Sequence, residues 1–387
     1  MPKFYELSPE ARRLELGDPD CLTRLAGQIG PETARHDTMS ENVIGAWRLP
    51  LGIVPSLMVN GKPHKIAMAT EEPSVVAAAC RVSRLANACH GITAHVDTPV
   101  TAAQIMGVIP QDNARHAAQW IAQNAPTLLQ TANQCDPRLC QAGGGAFDLG
   151  AHILDADADW PETFLVTKLL VHTSDAMGAN AVNTMAEAIQ AVLCQKLQGY
   201  TPGMAILTND GIGRMVHAHL SIPCGIFEKY ARHDGVDIAT RIARASAFAH
   251  RSPERAVTHN KGIMNGVIAA ALPLGQDTRA LAAACYHEAH RSGTHKPLTA
   301  YRLDSLAQAL ECDIALPVTA GFVGGFKSDP AVSAAFQFDD ISNYSELCAL
   351  LAAVGLIQNL AALWALVTDG IQAGHMRLHA RKTAITH

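Results

Sequence analysis

The chain has 387 residues, of which 48% are hydrophobic and 17% charged, a composition that excludes intrinsic disorder for most of its length. Its 30 Lys and Arg residues against 35 Asp and Glu residues give a net charge of −5 without a basic stripe, which argues against a nucleic-acid partner. Ten cysteines lie in mostly apolar surroundings and form no C-x-x-C pair. We therefore expect reduced, buried thiols in a cytoplasmic protein, and neither a zinc ribbon nor a thioredoxin-like motif.

Two segments bear on a membrane role. The first twenty residues are polar and mixed in charge, unlike a signal peptide. Residues 347–367 carry no charge over 21 positions, which is long enough to cross a bilayer. However, Gln358 and Asn359 lie near the middle of this segment, and Gly355 and several alanines lower its hydrophobicity. The segment therefore predicts a buried core helix, with a membrane anchor as the alternative that fractionation would test.

The N-terminal hundred residues predict helices and one hairpin. Short helices are expected at residues 9–16 and 19–30. Residues 47–70 have extended character, and Asn60-Gly61 within them is a strong hairpin turn signal. A helix should follow from Pro73 to about Ala88, because proline suits the first helical position and VVAAACRVSRLA supplies strong helix formers with an apolar face.

The middle of the chain predicts a separate unit at residues 101–209. Its elements are expected to be a strand at 101–109, a helix at 115–133, a loop into a strand at 142–154, a strand at 163–173, a helix at 175–198 and a strand at 204–210. This β-α-β-β-α-β order is a ferredoxin-like pattern rather than a doubly wound sheet. After residue 210 the chain is predicted to be mainly helical, with a Gly-rich loop at 317–329.

The best candidate for anion binding is the segment TSDAMGAN at 173–180, which joins a predicted strand to a helix. A helix N-terminus offers free N–H groups, and Gly178 allows a ligand to approach the backbone closely. No G-x-G-x-x-G motif is present, so a Rossmann fingerprint is excluded. Taken alone, Asp175 fits a helix N-cap at least as well as a ligand contact. The run Gly143–Gly145 is a second flexible loop.

Two further motifs carry charge near apolar helices. Glu72 precedes Pro73 at a helix start, where a carboxylate is normally a capping device. Burial could instead raise its pKa and make it an acid. Lys261 stands in His-Asn-Lys-Gly before an apolar run, and a lysine buried there needs a partner. Asp277 is one candidate partner.

Histidine spacing leaves one alternative function open. His375 and His379 stand four residues apart, which could seat a metal ion on one helix face. His287 and His290 resemble H-E-x-x-H but are one residue too close together to share a face. The alternative is a metal-dependent hydrolase that uses His375 and His379. We expect no metal, because 18 histidines make chance pairs common.

Five longer motifs point to one family. EEPSVVAAA, DAMGANAVNTMAEA, HNKGIMNG, VGLIQNL and GHMRLHAR occur in this order, and ENVIG at 41–45 fits as well. With these motifs in register from about residue 4 to residue 385, the chain resembles class II 3-hydroxy-3-methylglutaryl-CoA (HMG-CoA) reductases. Five long motifs in one order are far more specific than any one of them.

The resemblance implies an α+β fold: a large, mainly helical domain that binds HMG-CoA, with an inserted ferredoxin-like α/β domain that binds the nicotinamide cofactor. The large domain would comprise residues 1–100 and 210–370, and the small domain residues 101–209. Residues 371–387 would begin a C-terminal flap domain, the rest of which is missing. The family's active sites are shared in a homodimer, so we expect at least that oligomer, and neither a membrane nor a nucleic acid as partner.

The reaction implied is the interconversion of HMG-CoA and mevalonate plus CoA by two hydride transfers with NAD(P)(H), through mevaldyl-CoA hemithioacetal and mevaldehyde. Carried over by motif, Lys261 would stabilise the carbonyl oxygen, Asp277 would orient Lys261, and Glu72 would supply a proton. His375 would protonate the departing CoA thiolate. The positions that match substrate-binding residues are Ser74, Arg255, Asn265 and Asn359.

The resemblance also assigns the cofactor contacts, which are Asp175, Met177, Gly178, Ala179, Asn180, Asn209 and Gln358. Asp136 matches the place where NAD-preferring members carry an aspartate. A carboxylate there can accept hydrogen bonds from the ribose hydroxyls of NAD and repels the extra phosphate of NADP. NAD(H) is therefore expected to be preferred over NADP(H). The alternative is that Asp136 only starts an Asp-Pro turn.

One feature departs from the family. Family members continue after the final histidine motif into a helical flap that closes over the site, whereas only 12 residues follow His375 in this sequence. A second alternative is therefore a flap-less homologue that binds its ligands without turning them over.

Overall fold

A computed structural model describes residues 2–230, 233–368 and 370. The chain divides into two compact units, Met1–Leu51 and Gly52–His387. The first unit contains the short helices α1 (Pro9–Leu16), α2 (Pro19–Ala26) and α3 (Pro31–Asp37). Each begins with proline at its first helical position, as the sequence pattern predicts for the first two.

The second unit opens with a hairpin of β1 (Leu51–Val59) and β2 (Lys62–Ala69). Asn60 and Gly61 form its turn with φ of 49° and 78°, both in the left-handed region that a two-residue hairpin turn requires. This confirms the turn predicted from Asn-Gly.

The remaining elements lie in the second unit. The strands are β3 (Thr93–Val96), β4 (Val100–Val108), β5 (Gly145–Leu154), β6 (Phe164–His172), β7 (Thr201–Leu207), β8 (Met215–Pro223), β9 (Thr299–Asp304) and β10 (Ala309–Pro317). The helices are α4 (Pro73–Asn87), α5 (Gln111–Gln123), α6 (Ala125–Gln134), α7 (Pro137–Gln141), α8 (Ala179–Lys196), α9 (Cys224–Tyr230), α10 (Gly235–Arg251), α11 (Pro253–Ala271), α12 (Thr278–His290), α13 (Pro330–Phe338) and α14 (Tyr344–Val367).

One antiparallel sheet has the strand order β3-β8-β10-β9. Its register pairs Cys312 with Leu220 on one side and with Tyr301 on the other. Along β8, Val216 and Leu220 are buried whereas His217 and His219 are exposed, the alternation of a sheet with one covered face. The mainly helical prediction for residues beyond 210 missed β8, β9 and β10, although the mixed α+β fold class is confirmed.

Helix α14 is the centre of the larger core. It packs against α4, α11, β8 and β10, and residues from Leu347 to Trp364 are almost all buried. In the described part of the chain it is the one helix long and apolar enough to cross a membrane, with a mean hydropathy of 2.0, and 78% of its most apolar window is buried inside the fold. Because neighbouring helices and strands cover its apolar surface, the core-helix prediction is confirmed.

A second antiparallel sheet has the strand order β5-β6-β4-β7. Its first strand in the chain, β4, therefore lies between the third and the fourth, which is the order of a ferredoxin-like β-α-β-β-α-β unit. Helices α5, α6 and α8 cover one face and share a core with it that includes Ile105, Ile121, Leu169 and Ile189. Between β6 and α8 the chain forms the loop 173–178.

Candidate active site

A cavity of about 420 Å³ lies between α4, α11 and α14. It brings together seven of the residues singled out in the sequence, namely Glu72, Ser74, Arg255, Lys261, Asn265, Gln358 and Asn359. Arg255, Lys261 and Asn265 come from one side of α11. Positions 255, 258, 261, 262 and 265 follow the three- and four-residue spacing of a single helix face. The cavity therefore has a wall of cationic and amide side chains opposite the start of α4.

Glu72 lies at the N-cap position of α4 but does not cap the helix with its side chain. Its Oε1 atom instead accepts a hydrogen bond from Ser74 Oγ at 3.0 Å, and its backbone N–H donates to Thr70 Oγ1 at 3.1 Å. The capping interpretation of this carboxylate is thus wrong. Since Glu72 and Ser74 both line the cavity, the pair can act on a ligand bound there.

Three cationic side chains line the same cavity, namely Arg81, Arg255 and Lys261. Arg255 is half-buried, and burial lowers the pKa of its guanidinium from the usual value. Lys261 is exposed, and within residues 52–368 it has no hydrogen bond or ion pair, contrary to the idea of a buried lysine. An exposed ammonium beside a partly buried guanidinium suits a ligand that carries a carboxylate and a second polar oxygen.

Asp277 does not reach Lys261. Its carboxylate caps α12 by accepting from the backbone N–H groups of Arg279 at 3.0 Å and Ala280 at 3.1 Å. The same oxygen forms an ion pair with Arg279 Nη2 at 3.1 Å. The expected contact between Asp277 and Lys261 is therefore absent from the described residues, because an aspartate at a helix start finds nearer N–H donors.

Asn359 is 1% exposed, and hydrogen bonds inside the protein occupy its amide oxygen and one of its two amide N–H groups. Nδ2 donates to the His259 carbonyl at 3.0 Å, while Oδ1 accepts from Thr299 Oγ1 and Tyr301 Oη, both at 3.0 Å. Asn359 also lines the cavity, and its second amide N–H has no partner among the described residues, so the expected contact with a ligand stays a prediction. Gln358 differs, because its Oε1 is buried without a partner among the described residues.

His259 lies beneath the cavity wall at 1% exposure. Its Nε2 contacts Thr299 Oγ1 at 2.5 Å. Burial, together with the nearby positive charges of Arg255 and His250, lowers the pKa of His259 to about 3. His259 is therefore neutral and joins Thr299, Tyr301 and Asn359 in a polar network that connects α11, β9 and α14. The sequence motif contains His259 but gives no sign of this network.

The loop 173–178 ends at Gly178, the N-cap of α8, with φ of 84°. A Cβ atom there would lie 2.3 Å from Thr173 Cγ2, so only glycine fits. Asp175 is consequently not the N-cap. Its Oδ1 accepts from the Tyr344 N–H at 3.3 Å, and its carbonyl accepts from the Phe322 N–H at 2.7 Å.

A small cavity lies beside this loop. It is lined by Met177, Ala179 and Asn209 from the predicted cofactor set, together with Thr208 and Thr319. The hydroxyls of Thr208 and Thr319 are buried without hydrogen-bond partners in the described structure. Unpaired hydroxyls next to the free N–H groups of a helix start fit a polar, anionic ligand. Asn180 is exposed in the first turn of α8, and Gln358 lies in the other cavity.

Asp136 caps α7, its Oδ1 accepting from the Leu139 N–H at 3.0 Å. It does not line the small cavity. Asp136 therefore starts the helix at the Asp-Pro pair, as the alternative interpretation predicts. The cap uses only one carboxylate oxygen, Oδ1.

The metal alternative gains nothing from the described structure. Within residues 2–230 and 233–368, no group of three or more His, Cys, Asp or Glu side chains could hold a metal ion, and all ten thiols are free. His375 and His379 lie outside the described residues. A larger cavity of about 670 Å³ on the open face of the first sheet contains none of the predicted site residues.

Comparisons with known proteins agree with this geometry. The family profile described as hydroxymethylglutaryl-coenzyme A reductase matches residues 17–380. The 3-hydroxy-3-methylglutaryl-coenzyme A reductase of Archaeoglobus fulgidus is 37% identical over 392 residues, covering 100% of this chain and 86% of that protein. The probable reductase of Borreliella burgdorferi is 32% identical over 351 residues, covering 89% and 77%.

A solved structure of the class II 3-hydroxy-3-methylglutaryl-CoA reductase from Streptococcus pneumoniae, bound to NADPH in open conformations, has a TM-score of 0.81 and 34% identity to this chain. The match covers 94% of this chain and 99% of that one. A second structure of the Streptococcus pneumoniae enzyme has a TM-score of 0.82 and covers 99% of this chain. On sequence and fold together, the chain belongs to the class II HMG-CoA reductase family.

Proposed function

We propose that the protein interconverts HMG-CoA and mevalonate plus CoA, through mevaldyl-CoA hemithioacetal and mevaldehyde. The observation that carries this proposal is the cavity in which Glu72, Arg255 and Lys261 meet, in a chain of this family. Two molecules of reduced nicotinamide cofactor, bound one after the other, would supply one hydride each to the reduction. The remaining chemistry belongs to side chains of this chain.

Arg255 is proposed to bind the free carboxylate of the HMG group. Its planar guanidinium can form two parallel hydrogen bonds to a carboxylate, and its partial burial strengthens them. Ser74 and Asn265 line the same cavity and would orient the hydroxyl and carbonyl oxygens of the substrate. Gln358, whose buried Oε1 lacks a partner, offers one more acceptor at the cavity wall.

Lys261 is proposed to stabilise the charge that develops on the substrate carbonyl oxygen during reduction. Such an interaction is strongest in the transition state, where one donor is typically worth about 3–4 kcal/mol. Glu72 would supply the proton in the aldehyde step. Its hydrogen bond with Ser74 holds the carboxyl group at the cavity edge, ready to exchange a proton with a bound oxygen. Asp277 does not contact Lys261 within one chain, so its proposed orienting role would be exerted across the proposed homodimer.

His375 is proposed to protonate the CoA thiolate as it leaves. An imidazole titrates near pH 6.5, so it can both donate and regain a proton under neutral conditions. The assignment rests on the motif GHMRLHAR, since residues beyond 370 lie outside the described part of the structure.

The loop 173–178 and the start of α8 are proposed to bind the nicotinamide cofactor. The close packing of Gly178 on Thr173 and the unpaired hydroxyls of Thr208 and Thr319 fit a polar ligand there. We further propose that NAD(H) is preferred over NADP(H), because Asp136 would repel an added phosphate. The similar Streptococcus pneumoniae enzyme was solved with NADPH, so this preference needs its own test.

The protein is further proposed to act in the cytoplasm as a homodimer whose subunits share the active site. The exposure of Lys261 in the single chain supports this assembly, because a donor to an oxyanion gains strength when a partner excludes water from it. Burial of α14 inside the fold supports a location away from the membrane.

A spectrophotometric assay tests the function. Mevalonate, CoA and NAD⁺ are mixed with the purified protein, and formation of reduced nicotinamide is followed, with omission of CoA as the control. Two reduced nicotinamides should form for each mevalonate consumed, and none in a mixture that lacks protein. Binding of HMG-CoA without turnover in either direction would favour the flap-less binding alternative. A stoichiometric transition metal in the purified protein, together with no formation of reduced nicotinamide, would favour the hydrolase.

A further inference from the structure

Arg214 is the only arginine among the largest fully buried side chains of the described structure, at 2% exposure. It follows β7 and immediately precedes β8, on the segment that connects the two sheets. The other connection runs alongside it, where the Val100 N–H donates to the Gly213 carbonyl at 2.8 Å. Arg214 therefore lies where the chain passes between the ferredoxin-like unit and the larger core.

Six oxygen atoms surround the guanidinium. Nε donates to Thr101 Oγ1 at 3.0 Å. Nη1 donates to the Ala320 carbonyl at 3.0 Å and to Tyr344 Oη at 3.4 Å. All six are neutral oxygens, and no carboxylate forms an ion pair with Arg214 among the described residues. A charge buried this deeply is tolerated only when many dipoles solvate it.

Three of the six acceptors belong to the loop 173–178. Nη2 donates to Thr173 Oγ1, to the Ala176 carbonyl at 3.1 Å and to the Met177 carbonyl at 2.7 Å. Thr173 is the first residue of this loop, and Ala176 and Met177 directly precede Gly178, whose conformation starts α8. The other side of the guanidinium contacts Ala320 and Tyr344, which follow β10 and begin α14. One side chain thus ties the loop to the larger core.

We propose that Arg214 is a positioning residue for the cofactor: it fixes the loop 173–178 against the ends of β10 and α14. The inference rests on the proposed function in one respect, that this loop binds the nicotinamide cofactor. Arginine is needed rather than lysine, because a planar fork with five N–H donors reaches acceptors on opposite sides, whereas an ammonium has three donors at one point. The buried positive charge also favours an anionic dinucleotide at the adjacent helix start.

The decisive variants are Arg214→Lys, which keeps the charge, and Arg214→Met, which removes it. We expect Arg214→Lys to weaken NADH binding about tenfold in a fluorescence titration, with the KM for HMG-CoA changed by less than about twofold. Arg214→Met should bind NADH more weakly still, and both variants should unfold at a lower temperature than the parent. An equal rise in the cofactor and HMG-CoA constants would assign Arg214 a merely structural role and overturn the proposal.

A matched pair of milder variants keeps the test decisive if the arginine variants fail to fold. Thr173→Val and Tyr344→Phe each delete one hydroxyl that Arg214 contacts, but only Thr173 belongs to the loop. Thr173→Val should raise the Kd for NADH about three- to tenfold, whereas Tyr344→Phe, which leaves the loop contacts of Arg214 in place, should raise it by less than about twofold. Equal effects of the two variants, or none, would contradict the proposal.

The two proposals fail in distinguishable ways. If the parent binds NADH but does not turn over HMG-CoA, the proposed function fails, and the titration of the four variants still decides the role of Arg214. If the parent binds neither NADH nor NADPH yet reduces HMG-CoA with another donor, the function stands and the positioning role is overturned.

Discussion

The two candidate sites are built in different ways. The walls of the 420 Å³ cavity are helices α4, α11 and α14, whose backbone hydrogen bonds are internal and whose apolar faces are buried together. The loop 173–178 has no such frame and is held by tertiary hydrogen bonds from Arg214, Phe322 and Tyr344. Side chains on a packed helix can be exchanged without moving their neighbours, whereas a loop moves when its anchors are lost. Substitutions in the substrate site should therefore change the chemical step and leave the wall of the cavity in place. Substitutions around the cofactor site should instead shift the loop 173–178.

The largest effect is expected from Lys261→Ala. Because Lys261 projects from the exposed face of a helix whose other faces are buried, removal of its side chain should leave the cavity intact. Turnover should fall about 10²–10³-fold, the loss typical of one oxyanion donor, while the Kd for HMG-CoA stays nearly unchanged. Steady-state kinetics and a binding titration measure the two. Lys229→Ala, which removes another exposed lysine, is the control and should behave like the parent.

Lys261 would lose its proposed place in the mechanism if the variant kept turnover within about tenfold of the parent. A large rise in the Kd for HMG-CoA would instead show that the helical wall rearranges, and would break the contrast between the two sites.

The second-largest effect is expected in the step in which the CoA thiolate leaves, which we assign to His375. His375→Gln should slow reduction of HMG-CoA about 10²-fold, the lower end of general acid help, because the CoA thiolate would depart unprotonated. Reduction of free mevaldehyde releases no thiolate and should suffer far less. Separate assays of the two substrates give the ratio, with His379→Gln as the matched control. Equal losses on both substrates would contradict the role assigned to His375.

Local features of both sites could be predicted because neighbouring residues determine them. Asn60-Gly61 allows only a tight turn, and the segment 173–180 joins a strand to a helix in both prediction and structure. The order of the ferredoxin-like unit follows from alternating short patterns within about a hundred residues.

Features that depend on distant residues were missed. Strand β8 pairs with β10 across some ninety residues, so its alternating pattern was hidden within a region that is mostly helical. The sequence places Asn359 at the ligand cavity but does not predict the buried network that holds it, because its partners Thr299 and Tyr301 come from β9. The sequence around Arg214 does not predict its role, because its six hydrogen-bond acceptors come from four separate segments. Single-chain patterns show which face of an element is buried but not which polar groups meet there.

A smaller effect is expected at Asp136, at the edge of the cofactor unit. If its charge selects NAD(H), the parent should prefer NADH over NADPH by at least about tenfold in kcat/KM, because like charges near 4 Å cost at least about 1 kcal/mol. Asp136→Asn keeps an oxygen that can cap α7 and removes the charge, so it should lose the preference without loss of stability. Asp136→Ala removes both the capping oxygen and the charge. An equal use of the two cofactors by the parent, or an unchanged ratio in Asp136→Asn, would leave Asp136 as a helix cap only.

The smallest effect is expected from a contrast between two buried ionisable side chains, Arg214 and Asp339. Arg214 has six acceptors, whereas Asp339, at the end of α13, is 0% exposed and has one donor for its carboxylate, the Ala67 N–H at 3.0 Å. Its Oδ2 has no partner among the described residues. Burial therefore raises the pKa of Asp339 from 3.8 to about 7, although the hydrogen bond from Ala67 opposes the shift.

The sign of the pH dependence follows from that shift. Between about pH 4 and pH 7 the folded protein binds one proton more than the unfolded chain at this site, so its stability falls as the pH rises. Asp339→Asn keeps the acceptor for Ala67 and cannot ionise. Relative to this variant, the parent should lose about 3 kcal/mol of unfolding free energy between about pH 5 and pH 8. Urea unfolding of both proteins across this range measures the difference, and parallel curves would show that Asp339 is as well compensated as Arg214.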